Sequence, residues 1–158
     1  MKKLVKLLLC MTLVLALTGC GKEQSATYEL KQDAAGMSLT DTQVITAKGD
    51  KVITMKEVSI ISFPDMSEEE IALNAESYDG IYGAMLANVP EGVTANYGLD
   101  GSVYKVEINM NYEEADLQAL IDAGLVQVTS DQKGQKIAYI SFKQTCEGLE
   151  AMGYTLVE

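Results

Sequence analysis

The chain has 158 residues, 47% of them apolar, and sets 12 lysines and no arginine against 23 acids, with neither histidine nor tryptophan. A net charge of −11 and the lack of any guanidinium fork exclude a nucleic-acid surface, which needs a basic footprint. Without histidine the commonest metal ligand and the usual general base at neutral pH are missing, and at this length one domain buries roughly two thirds of its unfolded surface.

Lys2, Lys3 and Lys6 flank the start of an apolar stretch from Leu4 to Leu17, and Leu17-Thr18-Gly19-Cys20 closes it. A charged start, an apolar run and small residues before a cysteine predict a secretory signal over residues 1–19, cleaved to leave Cys20 at the new N-terminus. This is the pattern of the bacterial lipobox. Leu17, Thr18 and Gly19 form the recognition signal, and the Cys20 thiol takes a thioether-linked diacylglycerol carrying acyl chains such as palmitate. Two other readings are an uncleaved span and an ordinary secretory signal. The run is shorter than the ~18–20 residues of a span, and an ordinary signal more often ends Ala-x-Ala. Two acyl chains hold a protein stably on a bilayer where one does not, so the expected location is the extracytoplasmic face of the cell membrane. After cleavage nine lysines face 23 acids, a net of −14. Cys10 leaves with the signal, so Cys146 has no free thiol partner and stability must come from packing.

Residues 20–26 are small and polar, the composition of a lipidated tether, and a single domain is expected over 27–158, with order beginning near Thr27. Tyr28 to Lys31 reads as a strand with Ala35-Gly36 as its turn. Gln43 to Thr46 and Val52 to Met55 flank Lys48-Gly49-Asp50-Lys51 as a hairpin. Ser67-Glu68-Glu69-Glu70 is a capping-box pattern, and the helix it opens repeats Ile71, Ala75, Tyr78, Ile81, Tyr82, Met85 and Leu86 at three- and four-residue steps. Asn88 to Gly92 stops it; Gly80 and Gly83 inside it imply close packing or an earlier break.

Val93 to Tyr97 and Val103 to Met110 flank Gly98-Leu99-Asp100-Gly101 as a second hairpin. Tyr104, Val106, Ile108 and Met110 alternate with Lys105, Glu107 and Asn109, the pattern of a half-solvated antiparallel strand. Glu113 to Ala123 predicts a short helix with Leu117, Leu120 and Ile121 inward and Gly124 at its end. A brief strand over Val126 to Thr129 and a polar loop over Ser130 to Gln135 follow. Ser141 and Gln144 form a second capping box, leading into Phe142, Thr145, Cys146, Leu149 and Met152 at helical spacing, with Gly153 as the cap. Tyr154 to Val157 returns as a terminal strand. This order predicts an α+β two-layer sandwich, a mostly antiparallel sheet with helices packed on one face.

The lipobox, Lys48-Gly49-Asp50-Lys51-Val52, Ser67-Glu68-Glu69-Glu70, the stretch Asn111 to Leu117 (NYEEADL) and the closing Ile140 to Tyr154 (ISFKQTCEGLEAMGY) together resemble the YehR-like family of small bacterial lipoproteins, a family of unknown function. The resemblance runs nearly end to end. It implies a lipid-anchored two-layer α+β domain outside the cytoplasmic membrane and carries no catalytic residues across.

The residues themselves leave several functions open. Glu113, Glu114 and Asp116 cluster at a predicted helix start. Paired acids ~5 to 9 Å apart in a cleft serve glycosidases, but acids at a helix N-terminus also complement its dipole and face water. Cys146 lies on the apolar stripe of its helix, where cysteine behaves as a small hydrophobe, and no histidine exists to activate it. No Ser-x-x-Lys signature marks a dyad. No Asp-x-Asp-x-Asp-Gly loop points to Ca²⁺, and Asp100-Gly101 and Asp79-Gly80 read as turn and helix breaker. Tyr78, Tyr82, Tyr97, Tyr104 and Tyr112 offer a recognition surface for a peptide or glycan, with core packing as the competing role. The reading that follows is a non-catalytic interaction domain, with no metal or cofactor, whose partners are the membrane through the lipid on Cys20 and an envelope protein, peptide or glycan. Its alternatives are a carboxylate-dependent envelope hydrolase using Glu113, Glu114 or Asp116, and a small-ligand carrier associated with a transporter.

Overall fold

The computed structural model of the chain describes residues 21–34, 36–126 and 138–157. Six strands form one antiparallel sheet: β1 (Glu23–Ala34), β2 (Met37–Lys48), β3 (Lys51–Ser62), β4 (Val93–Asp100), β5 (Val103–Asn111) and β6 (Thr155–Leu156), in the spatial order β4-β5-β3-β2-β1-β6. Three helices, α1 (Glu68–Leu86), α2 (Leu117–Asp122) and α3 (Phe142–Ala151), send Ile71, Ala75, Leu86, Leu120 and Leu149 into one core with the sheet. The fold is thus the α+β sandwich read from the sequence.

Alternation sets the sheet's two faces. Tyr104, Val106, Ile108 and Met110 of β5 are 4% exposed or less, whereas Glu107, on the opposite face, pairs with Lys56 at 2.7 Å and Lys105 at 3.1 Å. The hydrogen bond from Lys56, then the one from Lys105, holds the Glu107 carboxyl down to about 2. β1, β2 and β3 are each 12 residues long, far longer than the short runs that announced them. β1 starts at Glu23, four residues before Thr27, and buries Ala26. Most of the expected tether is therefore sheet, because Glu23 to Ala26 pair with Ile45 to Lys48 of β2.

The capping box of α1 forms as expected: Glu70 N–H donates to Ser67 Oγ, and Ser67 N–H donates to Glu70 Oε2. The apolar stripe is narrower than expected. Ile81 and Met85 are 57% and 43% exposed, since at ~100° per residue Ile71, Ala75, Tyr78, Tyr82 and Leu86 keep one face while Ile81 turns about 80° away. Gly83 explains itself by close approach, because a Cβ there would sit 3.2 Å from Tyr97 Oη. The second hairpin turns at Gly101-Ser102, so Gly98, Leu99 and Asp100 belong to β4. Gly92, at φ +81°, has no room for a side chain: a Cβ would meet Asn111 O at 2.8 Å and Ala115 N at 2.9 Å.

The helix expected from Glu113 begins only at Leu117. Asp116 is its N-cap, accepting from the N–H groups of Gln118 and Ala119, while the N–H groups of Glu114 and Ala115 close a turn on Asn111 O. Val126 lies in a bend; the remainder of the strand expected to Thr129, and the loop over Ser130 to Gln135, fall outside the described residues. In α3 the Ser141 hydroxyl accepts from Gln144 N–H, one half of the expected capping box. Asp50, from the β2–β3 turn, accepts the Ser141 hydroxyl and the Lys143 N–H through its carboxyl and the Phe142 N–H through its backbone carbonyl. Gly153 follows the helix at φ +95°, Met152 is 62% exposed rather than inward, and β6 keeps two residues of the expected terminal strand.

Candidate functional site

A block of four polar side chains interrupts the apolar inner face at the sheet's centre. The register places Gln43 of β2 beside Glu57 of β3, and Asp41 beside Ser59. Ile108 and Val106 of β5 border them on one side, Tyr28 and Leu30 of β1 on the other. Asp41, Gln43 and Ser59 are only 5%, 4% and 7% exposed. Burial at that depth requires hydrogen bonds, and Asp41 collects three. Its Oδ1 accepts from Ser59 Oγ at 2.6 Å, and its Oδ2 from Gln43 Nε2 at 3.1 Å and from the Tyr154 hydroxyl.

Two features of the block are not satisfied from within. Gln43 Oε1 has no hydrogen-bond partner. Glu57 has its carboxyl pushed up, first by burial and further by the charge of Asp41, against the hydrogen bond from Gln43 that lowers it. Among the described residues the lysine ion pairs run to Glu29, Glu107, Glu113 and Glu147, and none to Asp41 or Glu57.

Tyrosines surround this floor. α1 lies over β4, and α3 over β2 and β6, so the inner face of β3 runs between them. From α1, Tyr78 lies tilted against Tyr104 and Tyr82 stacks on it, with ring centroids 5.2 and 6.1 Å apart, and Tyr82 reaches Tyr97 at 6.2 Å. The Tyr82 hydroxyl is raised by burial and then by the charge of Glu57. Tyr112 is pushed up to about 12 by the same two causes. Tyr154 closes the opposite side, its hydroxyl raised by burial and by its bond to Asp41.

The residues singled out by sequence fare differently. Leu17, Thr18, Gly19 and Cys20 lie outside the described residues. Glu113 and Glu114 are exposed in a turn, Glu113 pairing with Lys48 at 3.6 Å, and Asp116 is committed to capping α2. Glu114 does reach a hollow of about 380 Å³ lined by Thr54, Lys56, Thr94, Asn109 and Asn111, with no second carboxylate in its lining. Cys146 is half-buried against the core, its thiol pushed up mainly by burial, the opposite of an activated nucleophile. Of the five tyrosines, Tyr104 and Tyr112 are core, Tyr78 and Tyr82 are half-buried, and Tyr97 is 36% exposed. Asp79 accepts the Tyr104 hydroxyl at 2.6 Å, and the helix passes through Gly80 unbroken. Among the described residues no three His, Cys, Asp or Glu side chains converge to hold a metal, and no helix is long and apolar enough to cross a membrane. Asp41, Gln43, Glu57, Ser59 and Tyr154 were not distinguished by the sequence reading.

These features define an α+β domain with a polar, tyrosine-walled block on the inner face of its sheet. Among solved structures the chain is similar to the solution structure of the E. coli YehR protein, at 20% identity over 87% of this chain and 92% of that one, with a TM-score of 0.57. The likeness of fold agrees with the resemblance read from the sequence, and at that identity it speaks for the fold alone. A protein from Streptococcus pneumoniae TIGR4, also solved by NMR, aligns at 11% identity over 90% of each chain with a TM-score of 0.48. No protein-family model and no curated protein matches the chain.

Proposed function

We propose that this chain is an extracytoplasmic lipoprotein, anchored through acyl chains on Cys20, whose folded domain binds an envelope protein, peptide or glycan component without chemical turnover. The observation that carries the binding reading is Gln43 Oε1, an acceptor in a side chain 4% exposed and without a partner, in a block bordered by half-buried tyrosines. A buried polar group left unpaired costs roughly 1–3 kcal/mol, a cost that a ligand donor removes. The anchor rests on the lysine-led apolar run and Leu17-Thr18-Gly19-Cys20. The hydrolase alternative is less well supported, because Asp116 is held by the α2 backbone and Glu113 by Lys48.

A photoreactive amino acid placed at Tyr82, and separately at Tyr97, tests the binding reading in intact cells. A discrete crosslinked adduct is expected from at least one position; its absence from both sinks the reading. Membrane attachment is tested by fractionation of a Cys20→Ser variant, taken up below.

A further inference from the structure

We propose that the Gln43–Glu57 pair on the inner face of the sheet receives a primary ammonium group carried on an aliphatic stem. This deepens the binding reading above and rests on it. The chemistry of the block is one-sided. Asp41 already holds three donors, and the Gln43 amide nitrogen is committed to Asp41. What remains is acceptor capacity: Gln43 Oε1, free of any partner in a side chain 4% exposed, and the half-buried carboxyl of Glu57. A ligand must therefore bring N–H or O–H donors.

Charge narrows the choice. Two carboxyls stand close enough for Asp41 to disfavour ionisation of Glu57, and no lysine among the described residues neutralises either. An anionic ligand is repelled and a neutral hydroxyl leaves the charge uncompensated. A hard metal ion asks for six to eight oxygens, where the described residues bring no three acidic ligands together. An ammonium carries three donors and one positive charge. It can donate to Gln43 Oε1 and to Glu57 at once, with a third bond left for a tyrosine hydroxyl.

The walls suit the rest of such a ligand. Tyr78, Tyr82, Tyr97 and Tyr104 form a contiguous aromatic cluster with neighbouring centroids 5.2 to 6.4 Å apart. Ring faces attract a cation and cover a methylene stem. The chain's excess of acids raises the local concentration of cations around it. The ammonium has two sources, a free alkylamine or a lysine side chain of a peptide.

Titration of the ¹⁵N-labelled full chain in detergent micelles separates them, using 1,4-diaminobutane, Nα-acetyl-lysine methylamide and the same lysine compound acetylated at Nε. The expected result is a millimolar Kd for a charged probe, as befits a small ligand that makes only a few hydrogen bonds. The Gln43 side-chain amide should shift, and affinity should fall about tenfold or more in Glu57→Gln. Tighter binding of the lysine compound identifies a peptide source, and tighter binding of the diamine a free amine. The Nε-acetylated probe should leave the Gln43 amide unmoved, a comparison that holds even if the variant folds poorly. Equal binding of the acetylated probe overturns the ammonium inference while leaving the binding reading standing. Silence from all three probes also overturns it, and the crosslinking experiment then decides the broader reading on its own.

Discussion

Asp41 and Glu57 are carboxyls on neighbouring strands that the fold treats differently. Asp41 has donors on both oxygens, so Asp41→Ala strands Ser59, Gln43 and Tyr154 together; we expect a loss of about 2–4 kcal/mol in chemical denaturation. Glu57 has burial without adequate compensation. Its carboxyl titrates above the ordinary 4.5, so its contribution to stability is whole below that pH and is lost as pH rises through the folded-state value, where a half-buried group must ionise. Glu57→Gln removes that cost. The variant should be more stable than the parent at pH 7–8, with little difference at pH 4, measured by thermal melts at both pH values. A parent curve flat across that window contradicts the assignment. The sequence did not mark these residues because both phases of β2 are polar. Asp41 and Gln43 share a phase with Leu39, Ile45 and Ala47, and Thr40, Thr42 and Thr46 occupy the other with Val44. With no contrast between phases, the inward one cannot be chosen by alternation.

Among the elements, α3 shows the clearest division between local and distant causes. Ser141 as its cap was legible three residues from Gln144, a purely local pattern. Asp50, 91 residues from Ser141, was not, because only the sheet register brings the β2–β3 turn under that helix. Asp50→Ala should therefore cost about 1 kcal/mol and speed amide exchange at Lys143 and Gln144 while β2 and β3 keep their protection. Uniform loss across the sheet would mean that Asp50 serves the turn and not the helix. The misplaced start of α2 has a similar origin. Glu113 and Glu114 fit a first helical turn by composition, yet Asn111 O captures the N–H groups of Glu114 and Ala115 and delays the helix until Asp116 can cap it.

For the molecule as a whole, hairpin order and the α+β class were legible because turn residues and β5's clean alternation are local signals; the strand order was not, since pairing β3 with β5 across α1 leaves no mark in either strand. That pairing makes β5 central to the core. Ile108→Ala, at a side chain 3% exposed, should lower stability by about 2–5 kcal/mol through the cavity it leaves, and an unchanged melting curve would remove β5 from that role. Cys20→Ser should move the protein from the membrane pellet to the soluble fraction with its melting temperature unaltered, because the core begins with Ala26. A mutant that stays in the pellet contradicts the proposed anchor.

The early start of β1 also sets a standoff. Gly49 N–H bonds Lys22 O at 3.0 Å, so sheet order reaches to within two or three residues of Cys20, a span of at most about 10 Å. Under the proposed anchoring the β2–β3 turn would ride close against the headgroups, with no stalk to swing on. The glutamates opening α1 follow the other end of β3, roughly 35–40 Å along the strand, so under the same proposed anchoring that acidic rim would stand well away from the bilayer.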